Sequence, residues 1–508
     1  MGVLAGEDAG APGVLAGEDT GAPGVLAGED AGAPCGRWRS RRGRRRSRGA
    51  CENWRMSARS TDALRGDDSP PACSPPGSAD AIRAAHRRFL MPAVQTFYDE
   101  PMPIVRGQGK HVWDADGNRY LDFFGGILTV GLGHCHPEVN HAIRQQVDTL
   151  QHVSTLFPTQ PMVEAAERLA RLAPGDCDKT FFTNSGTEAN EMAILLAELH
   201  TGRSELIALR HGYTGRSRLA MGATGQSTWR VGGGNAAGIR HAANAYCYRC
   251  PFGLEYPSCD LRCARDIEDV VRTTTSGRIA GFIAEPIQGV GGFITPPPGY
   301  FEVAVDIVRR YGGVFICDEI QTGWGRTGKT LNAIDHWGVE PEIVTYAKAL
   351  GNGIPVAATV ARAEIADSFV GNTLSTFGGN PVSTAAANAV LEVVERDGLA
   401  DNAERVGKFL REGLMELADA HPVIGDVRGK GLMLALEFVE DRGTKEPAAA
   451  FTARLLQNAR DEGLLIGKGG LYGNCVRISP PLNIGTADAS AALRLLDRAL
   501  TATEAELR

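Results

Sequence analysis

Two short segments carry residues able to do covalent chemistry. Val344-Thr345-Tyr346-Ala347-Lys348 is an apolar strand pattern that runs into a glycine-bearing turn, Ala349-Leu350-Gly351-Asn352-Gly353. A lysine at that junction is partly desolvated. Burial disfavours its ammonium form, lowers its pKa and makes a neutral amine accessible. Neutral amines form Schiff bases with aldehydes. Thirty residues upstream, Ile316-Cys317-Asp318-Glu319-Ile320-Gln321 sets Asp318 at the end of a second buried strand pattern. A carboxylate there can keep a pyridine nitrogen protonated, and Gln321 can hydrogen-bond a ring hydroxyl. Taken alone, Lys348 reads as a surface lysine whose stem snorkels and Asp318 as a helix N-cap. Gly323-Trp324-Gly325 argues for a loop after Asp318 instead.

A third segment, Asn184-Ser185-Gly186-Thr187-Glu188-Ala189-Asn190, follows a strand pattern and opens a helical one. The amides of Ser185, Gly186 and Thr187 and the Thr187 hydroxyl can cradle a phosphate at the positive end of the helix dipole. The same residues also fit a capping box, Ser185 with Glu188 three positions on. Lysine, carboxylate and phosphate cradle together are the parts that pyridoxal 5'-phosphate requires, and that cofactor is the expectation. Lys348 would also shuttle a proton at the substrate Cα as base and acid. Tyr213 follows the strand ending near Arg210 and could stack on a planar ring. Arg216 could clamp a substrate carboxylate. From spacing alone, Tyr213 reads as a rim tyrosine and Arg216 as a solvated arginine. Cys247, Cys250, Cys259 and Cys263 are spaced C-x2-C-x8-C-x3-C. A structural zinc is the sharper reading, but the second and third spacings fit zinc patterns poorly. Free thiols on a loop insertion, without metal, are the expectation.

These segments need elements to position them. Val112 to Leu121 reads as a hairpin about an Asp-Gly turn. From Pro137 onward helices and short apolar strands alternate: strands at 180–183, 206–209, 282–284, 314–317 and 343–346, with helices at 164–172, 188–200 and up to Arg310. That alternation predicts a mainly parallel sheet covered on both faces, with ligands at the carboxyl ends of its strands. Helices at 381–396, 401–417, 448–462 and 487–502 and a strand at 431–438 complete a C-terminal α/β segment.

The chain has 508 residues, a formal charge of −7 and 43% hydrophobic residues, as in an ordinary globular protein without a nucleic-acid partner. It contains no apolar run long enough to span a membrane and no secretory pattern. Eleven cysteines in this length point to a reducing, cytoplasmic setting rather than a disulfide scaffold, with the mitochondrion as the alternative. Residues 2–34 are three copies of an 11-residue Gly/Ala/Pro-rich unit, expected to be disordered. Arg37 to Arg48 holds eight arginines and no acid. It is read as an extension outside the folded core, with a start at Met56 or nearby, against a targeting or anionic-surface patch. Residues 57–80 read as linker, and order is expected from Ala81.

In order along the chain, Asn184–Asn190, Ala284-Glu285-Pro286-Ile287-Gln288-Gly289, Asp318–Gly328, Tyr346–Gly353 and Thr376-Phe377-Gly378-Gly379-Asn380-Pro381 resemble the motifs of class III (ω-type) aminotransferases. The likeness covers roughly residues 90–500, and within the family it is nearest to the alanine–glyoxylate type. It implies the PLP-dependent transferase fold type I. That fold has a large domain, here 137–380, on a mainly parallel seven-stranded-type sheet. A smaller α/β domain comes from both ends of the ordered chain, 81–136 and 381–508. It implies a homodimer in which Thr376 reaches the phosphate of the partner's cofactor, and ping-pong transfer between an amino acid and a 2-oxo acid. It also implies Arg428 as the grip on the substrate α-carboxylate. Val290 stands where ornithine-specific members carry a glutamate that masks this arginine, which favours alanine, pyruvate and glyoxylate. Two departures widen the substrate range. Tyr213-Thr214-Gly215 lacks the family's histidine, and Arg216 matches a second carboxylate-binding arginine of GABA-type members. A same-fold aminomutase and a non-catalytic scaffold are the alternatives.

Overall fold

The computed structural model describes residues 78–233 and 236–507. The repeats, the arginine run and most of the expected linker lie outside the described residues. The helix expected from Ala81 starts at Ala79: Ala79–Phe89 is capped by Ser78, whose hydroxyl accepts from Ala81 N at 3.3 Å.

Three sheets form. Near the amino end, β1 (Ile104–Gln108), β2 (His111–Asp114) and β3 (Arg119–Asp122) make an antiparallel meander. The expected turn after β2 is tied down by Asp114, whose carboxylate accepts from the amides of Asp116 and Asn118. The central sheet uses β4 (Cys177–Thr183), β5 (Leu206–Leu209), β6 (Ile239–Ala242), β7 (Gly281–Ala284), β8 (Val314–Asp318), β9 (Ile343–Tyr346) and β10 (Ala357–Arg362). Its order is β4-β10-β9-β8-β7-β5-β6, and it is parallel except for β10, which runs against both neighbours. Near the carboxyl end, β11 (Ile424–Lys430), β12 (Met433–Phe438), β14 (Gly467–Gly469) and β15 (Cys475–Ile478) form an antiparallel sheet. The short β13 (Leu464–Leu465) instead joins the amino-terminal sheet, pairing parallel with β3.

The central strands alternate their side chains between two apolar layers. Leu206, Ile283, Ile316 and Ile343 face the helix Gly186–Thr201, while Ile207, Phe282, Phe315 and Val344 join the larger layer on the other side. Every residue of β5, β7, β8 and β9 is buried, which is why these strands read as unbroken apolar runs. Burying each such large side chain contributes about 1.5–3 kcal/mol. β6 and β10 are absent from the sequence reading. Edge strand β6 is only half-buried, and half of β10 is alanine, so neither carries a strong apolar signal.

Because β4, β5, β7, β8 and β9 share one direction, their carboxyl ends line one edge of the sheet. Ser185, Tyr213, Glu285, Asp318 and Lys348 each follow or end one of these strands. Topology thus gathers segments separated by up to 163 residues, Ser185 to Lys348.

Candidate active site

Lys348 opens a single 3-10 turn, Lys348–Gly351, immediately after β9. Its φ of +46° is left-handed, a conformation costing a lysine roughly 1–2 kcal/mol. The turn is held from the amino-terminal segment: the Asn352 side chain accepts from Leu132 N at 2.9 Å and donates to Gly133 O at 3.0 Å. Burial pushes the Lys348 pKa down, opposed by the carboxylates of Asp318 and Glu285 and assisted by Arg477.

Asp318 ends β8 and is 4% exposed. Burial raises its pKa, while a hydrogen bond from Asn190, another from Ile320 N and the charge of Lys348 pull it back. Asn190 Nδ2 donates to Asp318 Oδ2 at 2.8 Å and also to Thr214 O at 2.8 Å, and its Oδ1 accepts from Thr345 Oγ1 at 2.8 Å. This amide is therefore fully satisfied and fixes the Asp318 carboxylate in one orientation. Gln321 is buried as well, and its Oε1 has no partner among the described residues. Gly289 permits this arrangement, since a Cβ there would collide with the Gln321 amide.

At the end of β4, the capping box and the candidate phosphate cradle coexist. Glu188 N donates to Ser185 Oγ at 3.3 Å, and the Glu188 carboxylate accepts from Asn184 N at 2.7 Å. A Cβ on Gly186 would lie 2.7 Å from Ile320 Cδ1, so glycine lets this helix start sit against the loop carrying Asp318. Thr187 Oγ1 accepts from Arg216 N at 3.4 Å. Tyr213 is half-buried, packs edge-on to Trp229 with ring centroids 5.5 Å apart, and donates its amide to Glu285 Oε1 at 2.9 Å. The Arg216 side chain is exposed, close enough to act on the Tyr213 hydroxyl. Thr376 lies on the exposed surface; its neighbour Ser375 accepts from Asn184 Nδ2 at 3.3 Å.

Arg428 does not have the freedom that the resemblance implies. Its Nε donates to Gly292 O at 2.8 Å, Nη1 to Asp426 at 2.8 Å and Glu437 at 2.6 Å, and Nη2 to Tyr246 Oη at 3.3 Å and Cys475 Sγ at 3.2 Å. All five N–H groups are spent inside the protein, chiefly because Glu437 is fully buried and needs a counter-charge. Arg477 on β15 is different. It is 5% exposed, its Nε and Nη2 donate to Lys468 O, and its Nη1 is buried with no partner. Burial pushes its pKa down to about 10, with Glu285 among the charges opposing this.

Sequence reasoning missed three residues here. Glu285 stands within a quoted motif but received no role; buried at 7% exposure, it accepts from Tyr213 N and Gly289 N, and burial together with Asp318 raises its pKa. Asn190 was read only as part of a helix start. Arg477 interrupts an otherwise apolar strand, Cys-Val-Arg-Ile ahead of Ser-Pro-Pro, which is the signal that could have found it. The four cysteines line one small cavity beside Tyr246, all as free thiols. Among the described residues no three His, Cys, Asp or Glu side chains are grouped to hold a metal.

The structure therefore offers a half-buried amine, a buried carboxylate and an orphaned amide oxygen at the strand ends, and an orphaned guanidinium donor on β15. This donor set fits an aldehyde-bearing pyridine cofactor with an anionic substrate. A family model, aminotransferase class III, matches residues 94–500. The mitochondrial alanine–glyoxylate aminotransferase 2 homolog 2 of Arabidopsis thaliana is 43% identical over 438 residues, covering 85% of this chain and 89% of that protein. A leucine/methionine racemase of Thermococcus litoralis is 37% identical over 410 residues, covering 80% of this chain and 91% of that protein. Among solved structures, an (S)-enantioselective omega-transaminase from Thermomicrobium roseum matches with a TM-score of 0.78 at 34% identity, covering 84% of this chain and 99% of that one.

Proposed function

The chain belongs to the class III aminotransferases, and from that premise we propose that it moves an amino group from alanine or an ω-amino acid to a 2-oxo acid such as glyoxylate, pyruvate or 2-oxoglutarate, in two half-reactions. The cofactor is pyridoxal 5'-phosphate, which when bound accepts and returns the amino group and withdraws electrons from the substrate Cα. Lys348 anchors it and then moves the proton at Cα, a task for which its lowered pKa suits it. Asp318, held by Asn190, keeps a proton on the ring nitrogen. The Gln321 Oε1 accepts from the ring hydroxyl. Ser185, Gly186 and Thr187 take the phosphate at the helix start. Glu285 fixes the Tyr213 backbone, and the Tyr213 ring would supply an aromatic face to the cofactor.

Arg477 replaces Arg428 as the residue assigned to the substrate α-carboxylate, since it holds the unspent donor. Arg216, exposed at the rim, takes a distal carboxylate. The carrying observation is that Glu285, Asp318 and Lys348 stand at or just past the carboxyl ends of β7, β8 and β9, with Glu285 and Asp318 lining one cavity. The direct test is a screen of amino donors against glyoxylate, scoring 2-oxo acid released. The reading requires transfer from alanine that is lost in Lys348→Ala.

The racemase relative favours a second reading, isomerisation of one amino acid. Conversion without any 2-oxo acid supports that reading over transfer.

Exposed Val370 (94%), Leu374 (52%) and Phe377 (59%) lie close to Thr376 in the sequence. They support a homodimer in which Thr376 meets the partner's cofactor phosphate, to be checked by light scattering. The pairing of β13 with β3 supports a small domain built from both ends of the ordered chain. The mitochondrial name of the Arabidopsis relative supports the second of the two expected compartments, which cell fractionation tests.

A further inference from the structure

A cavity of about 190 Å³ opens on a part of the molecule that holds none of the residues assigned above. Three elements meet there. The end of β11 brings Lys430; the helix Leu399–Ala420 brings Glu404, Lys408 and Arg411; the segment following the Asp318 loop brings Lys329 and His336. Glu404, Lys408 and Arg411 are spaced i, i+4, i+7 and so share one helix face. Glycine sets the close approach: a Cβ on Gly407 would collide with the Gly431 carbonyl, and one on Gly431 with the backbone at Thr327.

The charges in this cavity do not balance. Four cations and His336 face one carboxylate, Glu404, whose ion pair is a loose 3.8 Å contact with Lys329. Among the described residues no carboxylate lies within ion-pair distance of Lys408, Arg411 or Lys430. The crowding is felt locally. Burial and the charges of Lys329 and Arg411 push Lys430 down, and burial with Lys430 and Lys329 pushes His336 down to about 4. Uncompensated like charges held together by a rigid fold cost stability unless a counter-ion joins them. A guanidinium fork flanked by three ammonium groups matches the tetrahedral oxygens of phosphoryl groups. The space far exceeds the ~10–15 Å³ that one water needs, enough for a compact anion.

We propose that this cavity is a binding site for a compact polyphosphate anion, built by Lys329, Lys408, Arg411 and Lys430 and separate from the catalytic centre. It belongs to the chain itself and does not depend on the transamination reading.

The test is calorimetric titration of the holoenzyme with inorganic pyrophosphate, at an ionic strength held constant with sodium chloride. Cofactor already fills the catalytic phosphate cradle in that form. The expected result is saturable binding at one site per chain, weakened at least tenfold by Lys408→Ala combined with Arg411→Ala. Both side chains are exposed on their helix, so fold and basal transamination stay at parental levels. A second variant, Lys430→Gln, should weaken binding in the same direction. Repeating the titration with ATP separates free polyphosphate, bound equally well or better, from a nucleotide, bound more tightly; either supports the site. No heat beyond that of sodium chloride overturns the proposal. So does pyrophosphate binding that the double variant leaves unchanged, which would place the anion elsewhere.

Discussion

Replacing Asn190 by alanine tests whether one second-row amide governs the catalytic carboxylate. The substitution removes the Nδ2 donor 2.8 Å from Asp318 Oδ2 and strips partners from Thr214 O and the Thr345 hydroxyl. A hydrogen bond to a buried charge contributes ~1.5–3 kcal/mol. At 1.36 kcal/mol per pKa unit this moves Asp318 up by about one to two units from a value that burial has already raised. The sign follows. The ionised form is the useful one, so a higher pKa leaves less of it at a given pH, and activity should fall most on the acid side and recover as pH rises. We expect kcat/KM for alanine with glyoxylate to drop about 10–100-fold at neutral pH, equivalent to those same ~1.5–3 kcal/mol. The two orphaned partners add a stability loss of about 3 kcal/mol, which in a folded chain this long lowers the melting temperature by about 3 °C. Holoenzyme pH–rate profiles from acid to alkaline pH, with thermal melts alongside, measure both effects. A variant that is slower but keeps the parental pH profile would refute the link between Asn190 and Asp318.

Lys348→Ala should abolish transfer, and borohydride reduction of the parental holoenzyme should place the cofactor's mass on the peptide containing Lys348; label on another lysine contradicts the assignment. Arg477→Ala should raise KM for alanine at least tenfold with little change in melting temperature, whereas Arg428→Ala should cost about 3 kcal/mol of stability by leaving fully buried Glu437 short of a counter-charge. The reverse pattern would restore Arg428 as the substrate grip. Burial pushes Glu437 up but Arg428, Tyr246 and Arg249 hold it below the ordinary range, so its contribution is present above the unfolded pKa and lost as pH falls; the Arg428→Ala penalty should therefore shrink in acid melts. Arg216→Ala should spare alanine and harm dicarboxylic or ω-amino substrates, and equal loss on both would remove it as a distal clamp.

Much of this organisation was legible before any coordinates. Apolar runs such as Ile343–Tyr346 and Val314–Asp318 announce doubly covered strands because both their faces are buried. Lys348 and Asp318 announce themselves by standing where such runs end. Strands β6 and β10 stayed hidden because a half-buried edge and a strand that is half alanine carry little hydrophobic contrast.

Residue types at strand ends determined which chemistry this chain can perform, since an amine and a carboxylate leaving apolar segments are perturbed wherever those segments fold. Only the tertiary structure decided which arginine is free. Arg428 sits on a half-buried strand and Arg477 on a buried one, and nothing in their local sequence says that Glu437, from the neighbouring strand, consumes one while the other keeps a bare N–H. Hydrogen-bond satisfaction is a property of what lies across the space between strands, and that partner set exists only once the chain has folded.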